Sequence, residues 1–121
     1  MAEKNLGIIG GGQLGSMLSV AAKKLNIKTT VYCNDNDAPA QNFCDEFIFG
    51  NYDDKKKILE FASKVDVVTF EFENIPFETL NEMNKLKTVL PKPSVNRLIQ
   101  HRLAEKDFIN KLNIRTTRYV D

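Results

Sequence analysis

The stretch LGIIGGGQLG, residues 6–15, decides the fold. Its first four residues form a short apolar run, which is typical of a buried parallel strand. Gly10, Gly12 and Gly15 then match the pattern G-x-G-x-x-G, which joins a strand to a helix. Gly10 permits a tight turn, Gly12 lets backbone N–H groups approach an anion, and Gly15 lets the helix pack closely against the strand. The stretch therefore predicts a Rossmann-like strand–turn–helix unit.

A glycine turn that opens a helix is suited to binding a phosphate group. The unpaired N–H groups and the positive end of the helix dipole favour an anion there, so we expect phosphate contacts from Gly10, Gly11, Gly12 and Gly15. One alternative is a tight turn that binds nothing. A dinucleotide site also needs an acid at the end of the second strand. That predicted strand ends in Cys33, which weakens the dinucleotide interpretation without removing it.

The rest of the chain alternates strand-like and helix-like segments. We expect further strands at 29–33, 47–49, 66–70 and 88–90, and helices at 13–25, 53–64, 76–85, from Ser94, and at 102–112. This alternation predicts right-handed βαβ units in an α/β fold, with a parallel sheet of order 3-2-1-4, helices on both faces and a helical segment at the end.

The helical spacing also predicts which side chains are buried. In the first helix we expect one buried apolar stripe, formed by Leu14, Met17, Leu18, Ala21, Ala22 and Leu25. In the second helix we expect Ile58, Leu59, Phe61 and Ala62 to face inward. Asp53 or Asp54 is expected to cap that second helix.

Length and composition restrict the class of protein. The 121 residues fit one compact domain, and 42% hydrophobic with 27% charged residues is a globular composition. A net charge of +1 gives no broad field that attracts nucleic acid or a membrane. We see no signal peptide and therefore expect a cytoplasmic protein with Cys33 and Cys44 reduced. The cysteine spacing fits no zinc motif and His101 stands alone, so we expect no metal site.

Two carboxylates follow the fourth predicted strand. Glu71 and Glu73 are two residues apart, so they project to the same side of extended backbone. With strand order 3-2-1-4, the end of this strand lies beside the glycine turn. Carboxylates repel phosphate, but they accept hydrogen bonds from hydroxyl or amine groups. We expect one of the two to be structural and the other to bind ligand.

Several segments together resemble a known family. They are GIIGGGQLG at 7–15, DAPA at 37–40, GNYDD at 50–54, VVTFEFEN at 67–74 and RLAEK at 102–106. This set is similar to the N-terminal, pre-ATP-grasp domain of N5-carboxyaminoimidazole ribonucleotide synthases, and the similarity extends over the whole chain. The related formate-dependent transformylases typically have Glu in place of Gln13 and lack the FEFEN run.

The resemblance implies an ATP-grasp ligase of purine biosynthesis. Such enzymes use Mg²⁺-ATP to activate bicarbonate and carboxylate the exocyclic amine of 5-aminoimidazole ribonucleotide. The family implies substrate contacts from Gly12, Gln13, Leu14 and Glu73, and an ATP contact from Arg102. A homodimer is left open. Residues 1–121 correspond to the N-terminal domain only, without the ATP-grasp and C-terminal domains, so we assign no catalytic residue and expect this fragment to be inactive and to bind no cofactor alone.

Two other functions stay open on sequence grounds. One is a Rossmann dinucleotide-binding module of an oxidoreductase, against which the absence of an acid at Cys33 argues. In the resembled family this position is often Asp, so the role of that strand end is in doubt. The other is an interaction domain without chemistry, against which the retained glycine turn and both glutamates argue.

Overall fold

The structure, a computed structural model, describes residues 4–71, 75–95 and 102–112, with the side chains of 102–105 and 107 outside the description. The strands are β1 (Asn5–Ile9), β2 (Lys28–Cys33), β3 (Glu46–Phe49), β4 (Val67–Phe70) and β5 (Thr88–Val89). The helices are α1 (Gln13–Lys24), α2 (Lys55–Lys64), α3 (Phe77–Leu86) and α4 (Arg102–Lys111), and a short 3-10 helix covers Pro39–Asn42.

The five strands form one parallel sheet in the order β3-β2-β1-β4-β5. This arrangement confirms the predicted parallel α/β sheet and its order 3-2-1-4. β1 is central, and its last residue, Ile9, pairs with Tyr32 on one side and with Phe70 on the other. The glycine turn therefore starts at the carboxyl edge of the sheet, between the ends of β2 and β4. Ligands bind at this kind of position in open α/β sheets.

Alternate residues of the central strands enter two separate apolar clusters. Ile8 and Val31 pack on one face with the segment that contains the 3-10 helix, whereas Ile9 and Tyr32 pack on the other face with α2 and α3. α1 contacts β2 and the 3-10 helix and so lies on the first face. The prediction of helices on both faces is confirmed.

The predicted buried stripe of α1 is wrong except for Ala22. The buried residues of α1 are Gly15, Ser16, Ser19 and Ala22, whereas Leu14, Met17 and Leu25 are 56%, 60% and 71% exposed and Leu18 and Ala21 are exposed as well. The reason is close packing: a Cβ at Gly15 would lie 2.7 Å from the carbonyl oxygen of Gly10. The side of α1 that packs on β2 and the 3-10 helix carries only small side chains. The larger apolar ones therefore point outward.

α2 follows its sequence prediction more closely. The Asp54 side chain accepts a hydrogen bond from the Lys57 amide at 3.2 Å and caps the helix as expected. Ile58, Phe61 and Ala62 are buried, but Leu59 is 54% exposed. The three buried positions share one helical face because they are spaced i, i+3 and i+4, and Leu59 lies about 100° away from Ile58 around the helix. The inward placement predicted for Leu59 is therefore wrong.

The last described helix, α4, matches the predicted segment 102–112 to within one residue. The helical segment predicted from Ser94 falls mainly on residues outside the description. Among the helices of the described ranges, none has the length and apolar character needed to cross a membrane.

Candidate functional site

The glycine turn is built from backbone hydrogen bonds on both sides. The Gly10 amide donates to the Tyr32 carbonyl oxygen at 2.8 Å, and the Ala40 amide donates to the Gly11 carbonyl oxygen at 2.9 Å. Gly10 has φ +109°, a conformation that a residue with a Cβ rarely adopts. The turn is thus fixed to β2 before α1 begins.

Small side chains pack against the outer side of this turn. A Cβ at Gly11 would lie 2.7 Å from the Ala38 Cβ and 3.2 Å from the Cys33 Sγ. Ala40 is fully buried, and its Cβ would lie 3.7 Å from a Cβ at Gly15. The DAPA segment, 37–40, therefore supports the turn by packing. The sequence reasoning did not anticipate this role.

Glu71 lies over the turn from the opposite side. Its amide donates to the Ile9 carbonyl oxygen at 3.2 Å, and its carboxylate Oε1 accepts a hydrogen bond from the Gly12 amide at 3.2 Å. Gly12 is the N-cap residue of α1 and has no side chain to cap the helix. A carboxylate near a helix N-terminus is stabilised by the helix dipole. Glu71, which directly follows β4, therefore supplies the cap that α1 lacks.

The residues implied as substrate contacts lie partly within the description. Gly12 is half-buried, and Gln13 and Leu14 are exposed on the first turn of α1, where ligand can reach them. Glu73 lies outside the described residues, as does the side chain of Arg102. Their roles remain predictions, as do the phosphate contacts of the four glycines.

The end of β2 does not offer the acid of a dinucleotide site. Cys33 is buried beside Gly11. Among the acids of the loop that follows, Asp35 is engaged locally, since its Oδ1 accepts a hydrogen bond from the Asp37 amide at 2.9 Å. Both aspartates are exposed. A thiol in this position cannot replace a carboxylate that holds ribose hydroxyls.

Tyr32 and Tyr52 lie behind the turn on the α2–α3 face of the sheet. Their ring centroids are 6.0 Å apart, and the Tyr32 hydroxyl donates to the Asn51 carbonyl oxygen. Burial raises the pKa of Tyr32 to about 12, and the negative charges of Asp54 and Asp53 add to the shift. Burial also raises the pKa of Tyr52, with further contributions from the neighbouring Cys33 and Glu71. Both hydroxyls are neutral at physiological pH.

A groove of about 520 Å³ runs between α2 and α3, away from the glycine turn. Its lining is mainly apolar and includes Tyr52, Ile58, Leu59, Pro76 and Leu86. Within residues 4–71, 75–95 and 102–112, no group of three or more His, Cys, Asp and Glu side chains is placed to hold a metal ion.

Comparison with protein families gives the classification. Residues 3–100 match the sequence profile of the ribonucleotide synthetase preATP-grasp domain. The chain belongs to this family.

Curated relatives agree with this preATP-grasp assignment. The chain is 39% identical over 118 residues to N5-carboxyaminoimidazole ribonucleotide synthase of Brucella melitensis, covering 96% of this chain and 33% of the relative. It is also 40% identical over 114 residues to the bifunctional purine synthesis protein of Dictyostelium discoideum, covering 94% of this chain and 11% of that protein. The chain thus spans at most about a third of the length of these relatives.

Solved structures show the same preATP-grasp fold. An ADP complex of N5-carboxyaminoimidazole ribonucleotide synthetase superposes with a TM-score of 0.91 at 36% identity, covering 99% of this chain and 32% of that one. The Aspergillus clavatus synthase, in complex with ADP and 5-aminoimidazole ribonucleotide, superposes with a TM-score of 0.83 at 29% identity, covering 96% of this chain and 31% of that one. The family predicted from the sequence is confirmed.

Proposed function

We propose that this chain is the ribonucleotide-binding N-terminal domain of an ATP-dependent carbon–nitrogen ligase of purine biosynthesis. The intact ligase would carboxylate the exocyclic amine of 5-aminoimidazole ribonucleotide with bicarbonate and give N5-carboxyaminoimidazole ribonucleotide. The observation that carries this proposal is the solved relative from Aspergillus clavatus, which holds both ADP and 5-aminoimidazole ribonucleotide and shares this fold over 96% of the chain.

The geometry of the site supports a ligand at the glycine turn. Gly12, Gln13 and Leu14 lie at the carboxyl edge of the central strand, and Gln13 and Leu14 are open to ligand. The amides of Gln13 and Leu14 find no acceptor within the described part of the chain, as expected for the first turn of a helix. We assign substrate contacts to these three residues, with Glu73 as an acceptor for amine or hydroxyl groups.

The chemistry of the ligase would depend on other parts of the intact protein. We propose that residues 1–121 form the preATP-grasp domain and that the ATP-grasp and C-terminal domains belong to chain outside it. ATP and Mg²⁺ would bind in the intact enzyme, with Arg102 contributing to ATP binding, and we assign no Mg²⁺ ligand to the described residues. A cytoplasmic location and a homodimer complete the proposal.

Calorimetric titration with 5-aminoimidazole ribonucleotide tests the assignment of Glu73. Glu73→Gln should weaken binding about tenfold, because a charge-assisted hydrogen bond is roughly twice as strong as a neutral one. Glu71→Gln makes the same change two residues away; it should lower stability without weakening ribonucleotide binding, and Glu78→Gln, at an exposed acid of α3, is the neutral control. Loss of binding confined to Glu71→Gln would reverse the assignment, and no loss in either variant would make the acidic pair structural.

An assay of ATP turnover tests whether catalysis needs the other domains of the intact protein. With bicarbonate and 5-aminoimidazole ribonucleotide present, the isolated chain should release no ADP above background, because phosphoryl transfer needs metal ligands and cationic clamps on the nucleotide. Turnover that scales with the concentration of pure chain would contradict this. The oxidoreductase alternative, which the comparisons do not favour, would instead require saturable quenching when NADH is titrated.

A further inference from the structure

The anion position of the glycine turn is occupied by a side chain of the protein itself. The Oε1 atom of Glu71 lies 3.2 Å from the Gly12 amide nitrogen, and it would lie 2.6 Å from a Cβ placed on Gly10. These two distances put the carboxylate directly over the turn, where a ligand phosphate would meet the same N–H group. In most glycine turns of this kind the phosphate is the partner of that group.

The backbone holds Glu71 in this place. β4 pairs with β1 in the register Ile9↔Phe70, and the Glu71 amide donates to the Ile9 carbonyl oxygen at 3.2 Å. Within the described part of the chain no Lys, Arg or His lies within ion-pair distance of Glu71. The Gly12 amide and the N-terminal end of α1 are therefore its favourable electrostatic partners there.

A phosphate brought to the same amide would meet a negative charge. The phosphate carries between one and two negative charges, and two anions at hydrogen-bonding distance from one donor repel each other. Glu71 would also have to leave the Gly12 amide before the phosphate could accept from it. Both effects lower the affinity of the turn for phosphate, whereas the Glu71 carboxylate can still accept a hydrogen bond from an uncharged hydroxyl or amine group of a ligand.

We propose that Glu71 is a specificity-determining residue that excludes phosphate from the glycine turn. A ribonucleotide then binds with its base or ribose end toward Gly12, Gln13 and Leu14 and with its phosphate away from them. This orientation rests on the proposed function, whereas the exclusion of phosphate does not. The proposed exclusion of phosphate replaces the phosphate contacts that the sequence predicts for Gly10, Gly11, Gly12 and Gly15.

Amide NMR titration of the chain with inorganic phosphate tests the exclusion. We expect no saturable shifts at the amides of residues 10–12 in the wild type. Glu71→Ala, which frees the Gly12 amide, should gain saturable shifts there and bind phosphate at least about tenfold more tightly. Glu71→Gln, which keeps the shape and removes the charge, provides a second variant should the alanine variant fail to fold.

The matched control is Glu78→Ala, which removes an exposed acid from the first turn of another helix, α3. This variant should respond to phosphate at residues 10–12 as the wild type does. Phosphate binding by the wild type at residues 10–12 would overturn the proposal, as would variants at Glu71 that gain none. The phosphate-free 5-aminoimidazole ribonucleoside should shift the amides of Gly12 to Leu14 in the wild type. If it fails to do so while the phosphate results hold, the proposed function is wrong and the exclusion stands.

Discussion

The carboxylate Oε1 of Glu71 accepts a hydrogen bond from the amide of Gly12 at 3.2 Å, although the two residues are 59 positions apart in the chain. The contact joins the end of β4 to the beginning of α1 across the carboxyl edge of the sheet. It gives α1, which follows three consecutive glycines, a negatively charged cap. It also places a negative charge where such turns commonly receive a phosphate.

Removing this cap should destabilise the domain. Glu71→Ala is expected to lower the free energy of unfolding by about 1–2 kcal/mol, because a hydrogen bond to a charged group and a favourable dipole interaction are lost together. Urea denaturation measures the change. Glu60→Ala is the control, since Glu60 is exposed on α2 and makes only a 3.9 Å contact with Lys64. Equal losses in the two variants would mean that Glu71 is not a cap.

The turn should tolerate a methyl group at one glycine and reject it at another. Gly10→Ala is expected to cost about 1–3 kcal/mol, because φ is +109° and the new Cβ would meet the Glu71 carboxylate at 2.6 Å. At Gly12, where φ is −76°, the nearest atom would lie 3.5 Å away. Gly12→Ala should therefore cost less than about 1 kcal/mol, mostly through its poorer capping. Denaturation midpoints of the two variants decide, and a reversed order would contradict the turn geometry.

Stability should fall at alkaline pH because of Tyr32. Its pKa is about 12 in the folded chain, against about 10 for an exposed tyrosine in the unfolded chain. Below pH 10 the hydroxyl is protonated in both states, and its contribution is fully present. As the pH rises from about 10 toward 12, only the unfolded state ionises, so the folded state loses stability.

Urea denaturation across this pH range, with tyrosinate absorbance recorded in parallel, checks the prediction for Tyr32. The Tyr32→Phe variant should show a shallower loss of stability above pH 10 than the wild type does. Its absorbance titration should lack one late-titrating tyrosine out of the three in the sequence. Parallel pH profiles for the two proteins would show that Tyr32 does not titrate as its burial implies.

The sheet was predictable because its strands are short apolar runs separated by clear turn signals. The contact between Glu71 and Gly12 was predictable in part, since strand order 3-2-1-4 places the end of β4 beside the turn. What the sequence did not show was the register Ile9↔Phe70, which brings Glu71 to Gly12. Because residues two apart in a strand project to the same side, the sequence alone could not decide which of Glu71 and Glu73 contacts the turn.

The face of α1 was not predictable from hydrophobic periodicity. Leu14 and Met17 have the spacing of a buried stripe, yet both are more than half exposed. The buried side of α1, with Ser16, Ser19 and Ala22, is the side on which the helix packs against β2 and the 3-10 helix, and this packing is tertiary rather than local. The buried face of α1 thus carries serines, and the exposed face carries the larger apolar side chains.

Amide NMR titration of the chain with 5-aminoimidazole ribonucleotide tests the central claim most directly. The claim is that this domain binds the ribonucleotide at the glycine turn. It predicts saturable shifts at the amides of Gly11, Gly12, Gln13 and Leu14. Saturable shifts confined to the α2–α3 groove, for example at Leu59 and Leu86, would contradict it, and so would the absence of any shift up to about 10 mM ligand, which corresponds to negligible affinity.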